Sequence, residues 1–213
     1  AMTSETIGWG AMIEPGDPRQ LIIFISGFVR PTNPQFHFIG YAPRFTQTKL
    51  FLRDRSNKQY VNGITDVTEN EEDTLDFLRY VIRKIGAERV TIVSGSMATH
   101  ASVVWGHKLG VNDIHLIGPL SDIELMTNQD RSKQPAFLDA AEAMRVLLRE
   151  DYPYVNLRSF MQEHSDKVDC VDIYYGLDDK IDIEQAAIIQ DLPQGRSTLW
   201  FDAGTGELVE ARD

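Results

Sequence analysis

Residues 90–98, Val-Thr-Ile-Val-Ser-Gly-Ser-Met-Ala, read as a short apolar strand that turns at once, through small residues, into a helix. A β-branched run followed directly by a helical segment puts strand and helix in adjacent layers, which predicts a mostly parallel sheet flanked by helices on both faces. The remaining sequence repeats the alternation. Further strand-like runs occur at 7–12, 21–26, 49–53, 113–117, 169–175 and 197–201. The clearest helix is expected over 69–85, where Leu75, Leu78, Ile82 and Ile85 share one face. Thr68 and Glu71 suit a capping box at its start, and Gly86 suits its end. A second helix is expected from 97 to 109 before Gly110, and a third over 135–149 with Pro135 in its first turn. Pro15, Gly16 and Pro18 predict a tight reversal joining the first two strands as an antiparallel pair. The polar stretch 119–134 is too long for a plain connection and reads as a small lid.

Length and charge narrow the class. A chain of 213 residues closes one substantial core, so a single domain over 2–213 is expected. A formal charge of −11 opposes nucleic acid and anionic lipid, so no nucleic-acid partner is expected. Cys170 is the single cysteine, which excludes an internal disulfide and suits a reducing compartment; the expected location is the cytoplasm. The longest apolar run, 21–25, is far below the roughly 20 residues of a membrane span, so none is expected.

The chemistry follows from the turn at 94–98. A serine between strand and helix is held in a strained backbone conformation that small neighbours two residues away permit, and Ser94 and Ala98 flank Ser96 in that way. Its hydroxyl then stands above the sheet. The helix start offers free N–H groups to a developing oxyanion, with the Met97 amide first. A second amide is expected from the loop after the 21–26 strand, Ser26-Gly27-Phe28, where Gly27 lets the backbone approach and Phe28 supplies the N–H.

Together, and in this order, the elbow at Ser94–Ala98 and the Ser26-Gly27-Phe28 loop resemble the α/β-hydrolase superfamily. That resemblance implies a serine hydrolase or acyltransferase acting on an ester, thioester or amide of a small-molecule acyl substrate through Ser96. It also implies an acid after a late strand, where Asp179 is the first choice, Asp178 the second and Asp122 the third; helix capping by Asp179 is the competing reading. The family's histidine follows the last strand. Here that position reads Asp202-Ala203-Gly204-Thr205, with Thr205 in the slot, and no histidine occurs after His164. His37 and His100 are the imidazoles left as bases. Loss of a triad member costs roughly four to six orders of magnitude in rate, so the alternative is a catalytically degenerate binding or scaffold protein on the same fold.

Other patterns are sparse. Residues 51–54 with Tyr60 and Gly63 are similar to hydrolase-like proteins of bacterial polysaccharide loci. Residues 53–58 read as an anion-recognising or plain solvated loop. Without a glycine-rich dinucleotide motif, a phosphate loop or a paired-histidine motif, no cofactor or metal is expected.

Overall fold

The computed structural model describes residues 4–30, 32, 34–128, 142, 144–148, 152–176, 178–192, 195–202 and 207–210. Its strands are β1 (Glu5–Ile7), β2 (Ala11–Glu14), β3 (Asp17–Ile25), β4 (Gln47–Leu52), β5 (Arg89–Ser96), β6 (Asp113–Pro119), β7 (Cys170–Gly176), β8 (Gly195–Asp202) and β9 (Glu207–Glu210). They form one sheet in the order β1-β2-β4-β3-β5-β6-β7-β8-β9. The run from β4 to β8 is parallel, while β1, β2 and β9 pair antiparallel at the two edges. The helices are α1 (Glu71–Ile85), α2 (Thr99–Leu109), α3 (Ile123–Asn128), α4 (Leu157–Glu163) and α5 (Lys180–Ala187), and residues 144–148 are also helical. None of the described helices is long and apolar enough to cross a membrane.

Strand alternation sorts the core into two layers. Leu21, Ile23, Ile25, Leu50, Leu52, Ile92, Ile114 and Ile173 face α1, α2, α4 and α5 in one large cluster. Ile22, Phe24 and Phe51 face the other way and pack under Phe36, Phe38 and Ala42, part of a segment that includes the 3₁₀ helix Ile39–Arg44. The two faces are therefore covered unequally. Among the described residues, α1, α2, α4 and α5 pack on one, and the 36–45 segment caps the β3–β4 part of the other.

Three local expectations change. The strand expected at 7–12 is two strands around a turn: Gly8 has φ +56°, and a side chain on Gly8 or Gly10 would strike the Asp66 or Thr65 carbonyl at 2.3 or 2.4 Å. The two opening strands are not partners, because β4 lies between β2 and β3 and pairs with both. Gly16 still matters there, since a Cβ on it would lie 2.3 Å from the Gln47 carbonyl at the start of β4. Helix α1 is capped by Asn70, which accepts from Asp73 N–H at 2.9 Å, and not by Thr68. Thr68 Oγ1 is engaged one turn earlier, accepting from Ile64 N–H at 2.7 Å. Both glycine stops hold, with Gly86 at φ +77° and Gly110 at φ +65°. Of the expected helix at 135–149, residues 135–141, 143 and 149 lie outside the described residues, as does 129–134 of the lid segment.

Candidate active site

β5 ends on Ser96 and α2 starts at Thr99, so the reversal is made in two residues. Ser96 has φ +52°, in the left-handed region, at a cost of about 1–2 kcal/mol for a residue with a side chain. Local bonds hold the turn. Ala98 N–H donates to Gly95 O at 3.1 Å, Thr99 Oγ1 donates to Ser96 O at 2.7 Å, and Leu120 N–H donates to Thr99 Oγ1 at 3.0 Å. Ser94 and Ala98 are wholly buried on either side.

The loop after β3 closes against this elbow. A Cβ built on Gly27 would lie 2.6 Å from Gly95 O and 3.4 Å from Ser96 Cβ, so only glycine permits the approach. The strand end feeding the loop is pinned twice: Ser26 N–H donates to Leu52 O at 2.9 Å, and Tyr60 Oη donates to Ser26 O at 2.7 Å. Tyr60 is buried, which pushes its phenol pKa up and keeps it a donor. Neither the Phe28 nor the Met97 amide donates a hydrogen bond to another described residue. Both therefore remain available beside the Gly27–Ser96 contact. The Met97 side chain is buried with Leu120, Ile123, Met126, Met144 and Leu147, against Phe28 and Tyr152, so these residues pack onto the elbow as an apolar cover.

The histidines and carboxylates are placed as follows. Ser96 Oγ has no hydrogen-bond partner among the described residues, imidazole or other. His37 is reached through the Gly27 loop: its Nδ1 accepts from Gly27 N–H at 3.2 Å, and its own N–H donates to Ser26 Oγ at 3.0 Å. The residue is exposed overall, but the inner edge of its ring is desolvated. That lowers its pKa, an effect limited by the exposure and opposed by the Phe28 carbonyl. His100 is wholly buried, with neither ring nitrogen hydrogen-bonded. Burial pulls its pKa to about 4, while the Val155 and Tyr154 carbonyls and the Asp122 charge act in the opposite sense from beyond good hydrogen-bond geometry. Asp179 is the N-cap of α5, its Oδ1 accepting from Ile181 and Asp182 N–H at 2.9 and 3.2 Å. Asp178 is exposed beside it. Asp122 accepts from Leu125 N–H at 2.8 Å and from Asn156 Nδ2 at 2.6 Å.

Other polar residues have structural partners. The Arg53 guanidinium is stacked 3.9 Å from the Trp9 ring centre and 4.1 Å from that of Phe36, with Nε donating to Trp9 O at 2.8 Å. Asp54 gathers Ser56 and Lys58 N–H groups at 2.8 and 3.1 Å. The 53–58 loop is thus tied down at Arg53 and Asp54, while Arg55 and Ser56 are exposed. His107 Nδ1 meets Val103 O at 2.7 Å, and His115 Nδ1 meets Tyr174 Oη at 3.0 Å on the sheet, away from the elbow. The Tyr60 and Ser26 contacts that hold the Gly27 loop leave no local sequence signal, because they join positions 34 and 11 apart. Among the described residues no cluster could hold a metal ion.

With this geometry in place, comparison with known proteins is informative at the level of fold. No family model and no curated protein matches the chain. Many solved structures do. The capsule O-acetyltransferase of Neisseria meningitidis serogroup A is similar with a TM-score of 0.60 and 14% identity, over 85% of this chain and 77% of that one. Esterase B from Lactobacillus Rhamnosis matches with a TM-score of 0.62 and 11% identity, over 92% of this chain and 70% of that one. A chain of the glycosylation associate protein (Gap123) complex from Streptococcus agalactiae matches with a TM-score of 0.60 and 12% identity, over 91% of this chain and 40% of that one. The chain has an α/β-hydrolase-like fold, shared with esterases, with an S-formylglutathione hydrolase and with an O-acetyltransferase.

Proposed function

We propose that the protein is an acyl-transferring serine hydrolase or acyltransferase in which Ser96 takes the acyl group of a small ester, thioester or amide. The observation that carries this reading is the strained Ser96, at φ +52° on a strand-to-helix turn with the Gly27 loop against it. Strain of that kind persists where the surrounding structure enforces it, and here it lifts a hydroxyl to the positive end of α2. In the step, Ser96 Oγ bonds to the acyl carbon while the bond to the alkoxide, thiolate or amine breaks, and the hydroxyl proton passes to the leaving group. The Phe28 and Met97 amides are the donors to the oxyanion. Asp179 is the acid of the set, held by its cap bonds through Oδ1 while Oδ2 bonds to no described residue.

The hydroxyl starts unactivated, since no described imidazole bonds to it, so turnover is slow and the best substrates have good leaving groups. Incubation with a small acetyl thioester tests the reading. The expected result is a single added acetyl group, mapped to Ser96 and absent in Ser96→Ala.

One observation favours a second reading. Residues 203–213, which follow β8, contain no histidine, and the lack of a base at that place in the sequence fits a binding or scaffold module whose pocket holds an acyl ligand without turning it over. Retention of a ligand with no acetyl transfer to Ser96 identifies that case.

A further inference from the structure

We infer that His37 is a positioning residue that clamps the Gly27-Phe28 loop against Ser96, and that it is not the base. This rests on the acyl-transfer reading of Ser96 for its catalytic meaning, though the clamp itself is a statement about the loop.

Gly27 N–H points at His37 Nδ1 at 3.2 Å, and a backbone N–H can only donate, so Nδ1 must present a lone pair. In the neutral ring the proton then sits on Nε2. A histidine in that tautomer has one lone pair, already engaged by Gly27. It has none left for the Ser96 hydroxyl proton, so taking that proton would require breaking the Gly27 bond first.

The same bond fixes the loop. His37 holds it from two sides, accepting from Gly27 N–H and donating its own N–H to Ser26 Oγ at 3.0 Å, and its ring also meets the Phe28 carbonyl. These contacts bracket the peptide that carries the Phe28 N–H. The neighbouring Phe38 ring completes the brace, its tip 3.8 Å from where a Gly95 side chain would begin. Phe38 also stacks on Phe24 at 5.6 Å between ring centres, which ties the 36–38 segment to β3. With the Gly27 N–H occupied by His37, the Phe28 N–H is the loop amide left for an oxyanion. The clamp therefore selects which amide serves.

The test uses His37→Asn, whose side-chain carbonyl replaces Nδ1, beside His37→Gln, whose carbonyl reaches the Nε2 position, and His37→Ala. Nitrogen NMR of the histidine rings near pH 7.5 reads the tautomer without any activity: the Nε2–H form is expected for His37, and an Nδ1–H form overturns the clamp. Hydrogen exchange at the Gly27 amide should stay slow in His37→Asn and become fast in His37→Ala; equal protection in both overturns it. Labelling of Ser96 by a fluorophosphonate should survive in His37→Asn within a few-fold and fall by about tenfold or more in His37→Gln and His37→Ala, the scale of a misplaced oxyanion donor. Equal loss in all three variants would mark His37 as the base and refute the inference, as would no loss in any. A wild type with no Ser96 labelling at all would refute the acyl-transfer reading alone, while the tautomer and exchange results still decide the clamp.

Discussion

Gly27 and Ser96 meet so closely that a methyl group on the first would stand 3.4 Å from the Cβ of the second and 2.6 Å from the carbonyl of Gly95. The backbone carbonyl cannot move aside as a flexible side-chain tip would, so one of the two loops must retreat when Gly27 acquires a side chain. Gly27→Ala should therefore fold with reduced stability and lose Ser96 labelling by about tenfold or more, the scale expected when an oxyanion donor is displaced. Thermal melting and labelling rate read the two effects separately. Unchanged labelling would mean that the Gly27 loop does not shape the site.

The strain at Ser96 is measurable by itself. Ser96→Ala and Ser96→Gly both remove the hydroxyl, but only glycine accepts φ +52° at no steric cost. Ser96→Gly should be more stable than Ser96→Ala by about 1 kcal/mol in denaturant unfolding. Equal stability would show that the elbow relaxes in solution.

The layer order and the elbow were legible in the sequence because both are local: a run of β-branched residues, a change of period, small residues around Ser96, and glycines at 86 and 110. The 7–12 run reads locally as one strand, whereas its two glycines serve contacts with residues 65 and 66, which no local pattern reveals. The pairing of β2 with β4, which come before and after β3 in the chain, is likewise a matter of distant partners. His37 could be picked out as a histidine near the site, but its role depends on which atom faces Gly27, and spacing carries no such information. β9 carries little local signal, because Glu-Leu-Val-Glu offers only two apolar residues.

Asp179 presents two roles that substitution separates. As the N-cap of α5 it is replaceable by Asn or Ser, which also accept from the helix N–H groups, whereas Asp179→Ala should cost about 1 kcal/mol. As the acid it needs its charge. Asp179→Asn should therefore keep the wild-type melting temperature and slow Ser96 labelling. Full labelling in Asp179→Asn would confine Asp179 to capping.

His100 should make the protein acid-sensitive. Its folded pKa of about 4 lies below the 6.5 of an exposed histidine, so the unfolded chain binds a proton that the folded chain refuses. The associated stability is complete above pH 6.5 and drains as pH falls from 6.5 towards 4, by roughly 3 kcal/mol in all. His100→Leu removes a buried ring whose nitrogens are unpaired, so it should be no less stable than wild type near neutrality and should lose less stability across that window. Parallel unfolding curves for both proteins against pH would contradict the assignment.

If Ser96 is a reactive acyl acceptor, it must also react with an active-site phosphonylating reagent. The purified chain is incubated with a fluorophosphonate for hours, and the adduct is located by peptide mass spectrometry in wild type and Ser96→Ala. The expected result is one adduct, on Ser96, forming slowly in the wild type and absent from the variant. A folded wild type that forms no adduct, or one that carries its adduct on another residue and keeps it in Ser96→Ala, would contradict it.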